Sequence, residues 1–300
     1  MNKIITLWKF SRPHTVIGTA ISIVTLYIII CKDCKTDHLP LLLIALSIGI
    51  GCNIFIVGIN QIADVNIDKI NKPYLPIPAG ELSVKNANRI IYGFLLISLI
   101  LASYLSLYLF AIILLAAAIG WAYSMPPLYL KKHHLTAALS IIFVRGILIN
   151  LGGFLVFNYI VNKSVNVPID VKILTAFIIV FSVVISWFKD IPDMEGDSKF
   201  QIKTLAIVYT PKSVFVLGTF LVTLTYLLTI ILKYPDIADS STPSFQSIVL
   251  FYGNIILMIL FVINSLIIDL TNQVSIKKFY KRFWWFFFAE YMIYLVAYLF

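Results

Sequence analysis

LLLIALSIGIGCNIFIVGINQIADVNID, residues Leu41–Asp68, decides the fold. From Leu41 to Ile62 the stretch carries no charge, and about 20 mainly apolar residues are enough to cross a bilayer as a helix. Inside a membrane the backbone must satisfy its own hydrogen bonds, so a run of this kind is helical. It ends in Asn60, Asp64 and Asp68, polar residues spaced by four, which on a helix stand one above another.

The rest of the chain repeats the pattern. Of its 300 residues, 60% are apolar and 12% charged, against roughly 25% charged in soluble domains. Apolar runs at roughly 14–31, 41–62, 88–106, 109–125, 136–158, 171–188, 213–232, 245–269 and 283–300 predict nine transmembrane helices, the third and fourth joined by a very short turn near Ser106. Residues 1–300 read as one all-α membrane domain. Met1–Arg12 is short, basic and amphipathic and lacks a small-residue cleavage site, so it reads as an interfacial segment rather than a leader. Cys31 and Cys34 have no second pair or nearby histidine for zinc and read as loop thiols, although a local disulfide stays open, and Cys52 reads as a core residue.

Charge orients the spans. With nine crossings, Lys3, Lys9, Arg12, Lys69, Lys72, Lys85, Arg89, Lys131, Lys132, Lys189, Lys199, Lys203, Lys212, Lys277, Lys278, Lys281 and Arg282 fall on the side of the N-terminus. Lys32, Lys35, Lys163, Lys172 and Lys233 fall on the other, and Arg145 lies within a span. Basic residues mark the cytoplasmic side, which predicts a cytoplasmic N-terminus in a multi-pass protein of the plasma or inner membrane. The net charge of +9 is then a topology signal and a match to anionic lipid, with no nucleic-acid partner implied.

Of 14 acidic residues, Asp64 and Asp68 follow the second span, and Asp190, Asp193, Glu195 and Asp197 follow the sixth. Both groups are expected in loops on the basic side. Like charges one turn apart repel. Mg²⁺ relieves the conflict, since it takes oxygen ligands and is commonly held by one or two carboxylates plus substrate phosphates. Asp64, Asp68, Asp193 and Asp197, helped by Asn60, are the expected ligands of a diphosphate cradle. A shift of 129 positions superposes Asp64 on Asp193 and Asp68 on Asp197, which predicts two pseudo-repeated four-helix halves around a central cavity. Lys72, Lys189, Lys203 and Arg145 are the expected diphosphate-binding cations, with Lys131, Lys132 and Lys199 nearby in sequence. Arg145 is notable because a charge at that depth is costly, and pairing with Glu290 is the structural alternative. His133 and His134 are expected to be solvated.

These motifs resemble the UbiA superfamily of intramembrane prenyltransferases, which carries an Asn-[Asp/Gln]-x-x-Asp-x-x-x-Asp motif after its second helix and Asp-x-x-x-Asp after its sixth. Here they are Asn60-Gln61-x-x-Asp64-x-x-x-Asp68 and Asp193-x-x-x-Asp197. Trp8–Thr15, Val57–Gln61, Ile67–Pro73, Ala122–Pro127, Val144–Ile147 and Lys189–Asp197 are similar to the homogentisate prenyltransferase branch. The resemblance implies Mg²⁺-dependent transfer from a prenyl diphosphate to an aromatic acceptor, for homogentisate with loss of CO₂. It implies that Tyr123 faces the allylic cation and that Asp190 orients the acceptor, and His14 is a further candidate for acceptor contact. Tail length and oligomeric state stay open, as do other acceptors: 4-hydroxybenzoate, a naphthoate, a chlorophyllide or a glyceryl phosphate lipid. A transporter is the competing class, disfavoured because transporters place polar sites near the midplane, whereas these acids gather at one surface.

Overall fold

A computed structural model describes residues 3–32, 34 and 38–300, so Met1, Asn2 and Lys35, which entered the reading above, lie outside the described residues. In chain order the helices are α1 (Lys3–Phe10), α2 (Pro13–Ile30), α3 (Leu39–Ala63), α4 (Val65–Asn71), α5 (Val84–Leu105), α6 (Leu107–Ser124), α7 (His134–Ile141) and α8 (Gly153–Asn162). They continue as α9 (Ile169–Lys199), α10 (Leu205–Val208), α11 (Pro211–Lys233), α12 (Pro235–Ala238), α13 (Phe245–Leu266) and α14 (Gln273–Leu299). Between α7 and α8 the chain stays helical but winds wider, as a π-helix over Ile142–Gly152.

Eight stretches are long and apolar enough to cross a membrane: α2, α3, α5, α6, His134–Asn162, α9, Pro211–Ala238 and α13. The expected ninth span falls within α14, which has 27 residues. Its length suffices, but Lys277, Lys278, Lys281 and Arg282 charge its beginning, and tryptophans, tyrosines and Glu290 dilute the remainder. Residues such as Leu96, Ile100, Leu228, Ile231, Ile256 and Ile263 are exposed on the outer faces of the helices, as lipid contact requires. Ser83, Thr210 and Ser244 start α5, α11 and α13, each hydroxyl accepting the N–H of the third residue onward, the usual side-chain cap.

The two halves pack by different chemistry. In the first, α3 runs against α2, α5 and α6 through small residues. A Cβ on Gly51 would lie 2.2 Å from Ser98 Oγ, and one on Gly58 2.3 Å from Ile91. Such close backbone approach is how membrane helices gain dispersion energy without a hydrophobic drive. In the second, α9, α11, α13 and α14 enclose stacked and edge-on rings, among them Phe181–Phe283 at 4.4 Å and Phe188–Phe283 at 4.9 Å between centroids. The ends of this half are tied at Asp170, which accepts from Lys233 at 2.7 Å, Gln246 at 2.9 Å and Tyr298 at 2.7 Å. Lys233 is therefore buried in an ion pair rather than a free basic residue of the sparse side. Cys31 and Cys34 are free thiols, and Cys52 is buried.

Both acidic motifs are helical, which corrects the expectation of loops. The first lies at a break: Asp64 ends α3, and Asp68 sits on α4. The second continues α9 past residue 188 without interruption, with Pro192 inside the helix. Proline removes one N–H and crowds the turn before it, yet the helix runs on because its far end is gripped by α4, as follows.

Candidate active site

The acidic motifs are cross-tied by the residues that follow the first. Asn71, at the end of α4, donates from Nδ2 to the Asp193 carbonyl at 2.8 Å and to Asp197 Oδ1 at 3.5 Å. Its Oδ1 accepts the Gly196 N–H at 2.9 Å. Gly196 is required by this contact, because a Cβ there would lie 2.6 Å from both amide heavy atoms of Asn71. The next residue, Lys72, donates to Asp193 Oδ2. The two acid pairs, far apart in sequence, thus share one end of the bundle.

A polar cleft of about 50 Å³ opens between them, lined by Asn60, Asp64, Tyr123, Lys131, His134, Ser186, Trp187, Lys189, Asp190, Asp197 and Thr204, among others. Asn60 Nδ2 donates to Ser124 Oγ at 3.3 Å. Lys131 donates to Asp64 Oδ1, with its ammonium 5.3 Å from the Tyr129 ring centroid. Lys189 pairs with Asp190 at 3.2 Å, and Arg12 lies 4.0 Å from Asp68 Oδ2. Every acidic motif therefore has a cation beside it. Burial pushes the Asp68 carboxyl above the usual carboxylate range, Arg12 and Lys72 oppose this, and Asp64 and Asp193 add to it. Burial lowers the Lys131 ammonium, and Asp64 opposes that shift. Tyr129 is pushed up to about 12 by burial and by the charges of Asp64 and Asp197.

Of the residues singled out in the sequence, Asn60, Asp64, Tyr123, Lys189, Asp190 and Asp197 line this one cleft. Asp68, Asp193 and Lys72 adjoin it through the contacts above. Two candidate cations stand elsewhere. Lys203 is exposed, its backbone bonded to Lys132 and His134, while its neighbours Ile202 and Thr204 face the cleft. Arg145 lies in the π-helical segment with its guanidinium 5.8 Å from the Trp284 ring and 5.6 Å from Phe287. The expected pairing with Glu290 is not formed; both carboxylate oxygens of Glu290 are buried without a hydrogen-bond partner. On α14, residues 284 and 287 present one face, and Glu290 turns away toward Tyr226 and Tyr294. His14 packs edge-on against Trp284, centroids 4.7 Å apart, so it holds the ring on which Arg145 rests.

His134 corrects a further expectation: it lines the cleft with Nδ1 buried instead of standing in solvent. Asn71, Gly196, His134 and Thr204 were the residues missed. Only Asn71 and Gly196 carried a signal, as parts of the two quoted motif stretches. Gln61, the residue beside Asn60, is fully buried and donates to the Phe10 carbonyl at 2.6 Å, which fastens α1 to α3 and takes Gln61 out of the acid cluster.

A family model for the "UbiA prenyltransferase family" matches residues 20–287. The chain belongs to that family. It is a prenyltransferase and an integral, multi-pass membrane protein. Homogentisate phytyltransferase of Synechocystis sp. is 37% identical over 99% of this chain and 96% of its own length. Homogentisate solanesyltransferase of Arabidopsis thaliana, a chloroplastic protein, is 34% identical over 96% of this chain and 75% of its own. Among solved structures, a UbiA homolog from Archaeoglobus fulgidus bound to GPP and Mg²⁺ is similar in fold, with a TM-score of 0.64 at 18% identity, covering 97% of this chain and 99% of that one.

Proposed function

We propose that this prenyltransferase moves a prenyl group from its diphosphate to homogentisate, with loss of diphosphate and CO₂, in a reaction that needs Mg²⁺. The cleft between the two cross-tied acid motifs carries this reading, supported by full-length similarity to homogentisate prenyltransferases with phytyl and solanesyl tails. The donor set fits Mg²⁺: it is oxygen-based, and Asp68 Oδ2 is buried without a hydrogen-bond partner. No three acidic, histidine or cysteine side chains converge on one point among the described residues, which matches an ion whose remaining ligands are phosphate and water.

Asp64, Asp68, Asp193 and Asp197, with Asn60, are the residues that would hold the metal. Bound there, Mg²⁺ supplies charge neutralisation of the leaving diphosphate. Lys131, Lys72 and Lys189 stand beside these acids and turn their ammonium groups to the oxygens on which charge develops. The allylic C–O bond breaks with its electron pair leaving on the diphosphate. Tyr123, in the cleft wall, presents its ring to the cation, and Asp190 orients the acceptor hydroxyl. The ring carbon then bonds to the allylic carbon and loses its proton. The exposed apolar flanks of the helices leave the tail in lipid, and the active-site end faces the cytoplasm, as the basic loops require.

The test supplies membranes holding the protein with Mg²⁺, homogentisate and labelled prenyl diphosphates of several lengths, with Asp64→Ala and Asp193→Ala as controls. A prenylated, decarboxylated quinol made only by the unmutated chain is the expected result. Turnover with a different acceptor and none with homogentisate would overturn the acceptor assignment.

A further inference from the structure

One wall of the cleft has no part in holding metal. It is made by two segments zipped together: the Lys203 N–H donates to the Lys132 carbonyl at 2.9 Å, and the His134 N–H to the Lys203 carbonyl at 3.2 Å. Side chains alternate along extended backbone, so Thr204 faces the cleft while Lys203 faces out. Thr204 is 6% exposed, and its Oγ1 has no partner. It precedes α10 yet forms no cap bond, unlike Thr210 before α11. The buried Nδ1 of His134 is likewise unpartnered, although the ring stacked on it at 4.5 Å, His133, uses its own Nδ1 to accept the Leu135 N–H.

Buried polar atoms are nearly always bonded, so each orphan calls for a partner. Two of them in one cleft wall, with Lys131 and Lys189 in the same lining, call for a partner of negative charge. Both groups can donate, the hydroxyl through Oγ1–H and the imidazole in its Nδ1–H tautomer. We propose that Thr204 and His134 form an oxyanion subsite, donating to a phosphate oxygen of the diphosphate or to the acceptor's carboxylate. The assignment rests on the prenyl-transfer reading above.

The experiment is calorimetric titration of the purified full chain with two probes, inorganic pyrophosphate plus Mg²⁺ and, separately, homogentisate. Thr204→Val and His134→Ala are each expected to weaken one probe by about tenfold, the loss of a charge-assisted hydrogen bond. Thr204→Ser and His134→Asn, which keep a donor, are expected to restore it. A loss confined to pyrophosphate assigns the subsite to the diphosphate, and one confined to homogentisate assigns it to the carboxylate. Losses that Ser and Asn do not restore show a packing role and overturn the proposal. So do unchanged affinities for both probes while Asp193→Ala abolishes pyrophosphate binding, a result that leaves the prenyl-transfer reading standing. Failure of the unmutated chain to bind either probe removes both.

Discussion

Replacing Gly196 with alanine should pry the two acid motifs apart. The new Cβ would lie 2.6 Å from Nδ2 and Oδ1 of Asn71 and 2.7 Å from its Cγ. The amide cannot slide aside freely, because it donates to the Asp193 carbonyl at 2.8 Å and accepts the Gly196 N–H at 2.9 Å. Overpacking of this kind costs about 1–3 kcal/mol, and each hydrogen bond broken adds about 1 kcal/mol. Gly196→Ala is therefore expected to destabilise by roughly 3–4 kcal/mol. Asn71→Ala removes the bonds without the clash and orphans a buried N–H, for about 2–3 kcal/mol. In the double variant the clash is gone, and alanine is the better helix former by up to about 1 kcal/mol. The coupling between the two positions should reach roughly 2–3 kcal/mol. Unfolding midpoints of the four proteins in detergent, with and without Mg²⁺ and pyrophosphate, close the cycle. Additive costs, or a Gly196→Ala protein as stable as its parent, would refute the clamp.

Three further perturbations test the electrostatics. Lys131→Met and Lys72→Met remove cations that compete with metal for Asp64 and Asp193; Mn²⁺ alone should bind more tightly to each variant, while Mg²⁺–pyrophosphate binds about tenfold or more weakly. Both affinities falling together would count against this exchange. Gln61→Glu sets a buried carboxylate against the Phe10 carbonyl and should cost about 3 kcal/mol or more, releasing α1; unchanged Trp8 fluorescence would argue otherwise. The raised Asp68 carboxyl holds its proton to higher pH than an ordinary carboxylate, and metal must displace that proton. Mg²⁺ affinity should therefore fall as pH drops through the raised value, starting above the ordinary carboxylate range. Asp68→Asn should flatten that slope, and a parent already flat over the weakly acidic range would contradict the assignment.

What the sequence disclosed follows from how local each signal is. Uncharged runs such as Leu41–Ile62 declare a bilayer on their own, and acids placed just beyond them declare a surface site. α14 was harder to read, since its tryptophans, tyrosines and Glu290 suit a protein-buried helix more than a lipid-facing one. The second motif looked like a loop because Pro192 usually ends a helix, whereas Asn71, 122 residues away, keeps that helix going. The depth of Arg145 was legible, but its aromatic partners differ from Glu290 by less than two turns of one helix, finer than a sequence pattern resolves. Thr204 and His134 had no signal, because an orphaned atom is visible only when its surroundings are.

The length of α9 has a mechanical consequence. Its 31 residues extend roughly 46 Å at about 1.5 Å per residue, against a hydrocarbon thickness of about 30 Å. One continuous rod thus carries the membrane-embedded packing at one end and Asp193 and Asp197 at the other. Helices answer a thinner or thicker bilayer by changing tilt, and a rod transmits that tilt along its whole length. Asn71 and Lys72 on α4 oppose the resulting displacement of the carboxylates. The chain is therefore built as a lever with a latch, and the spacing of its acid pairs is coupled to the thickness of the membrane around it.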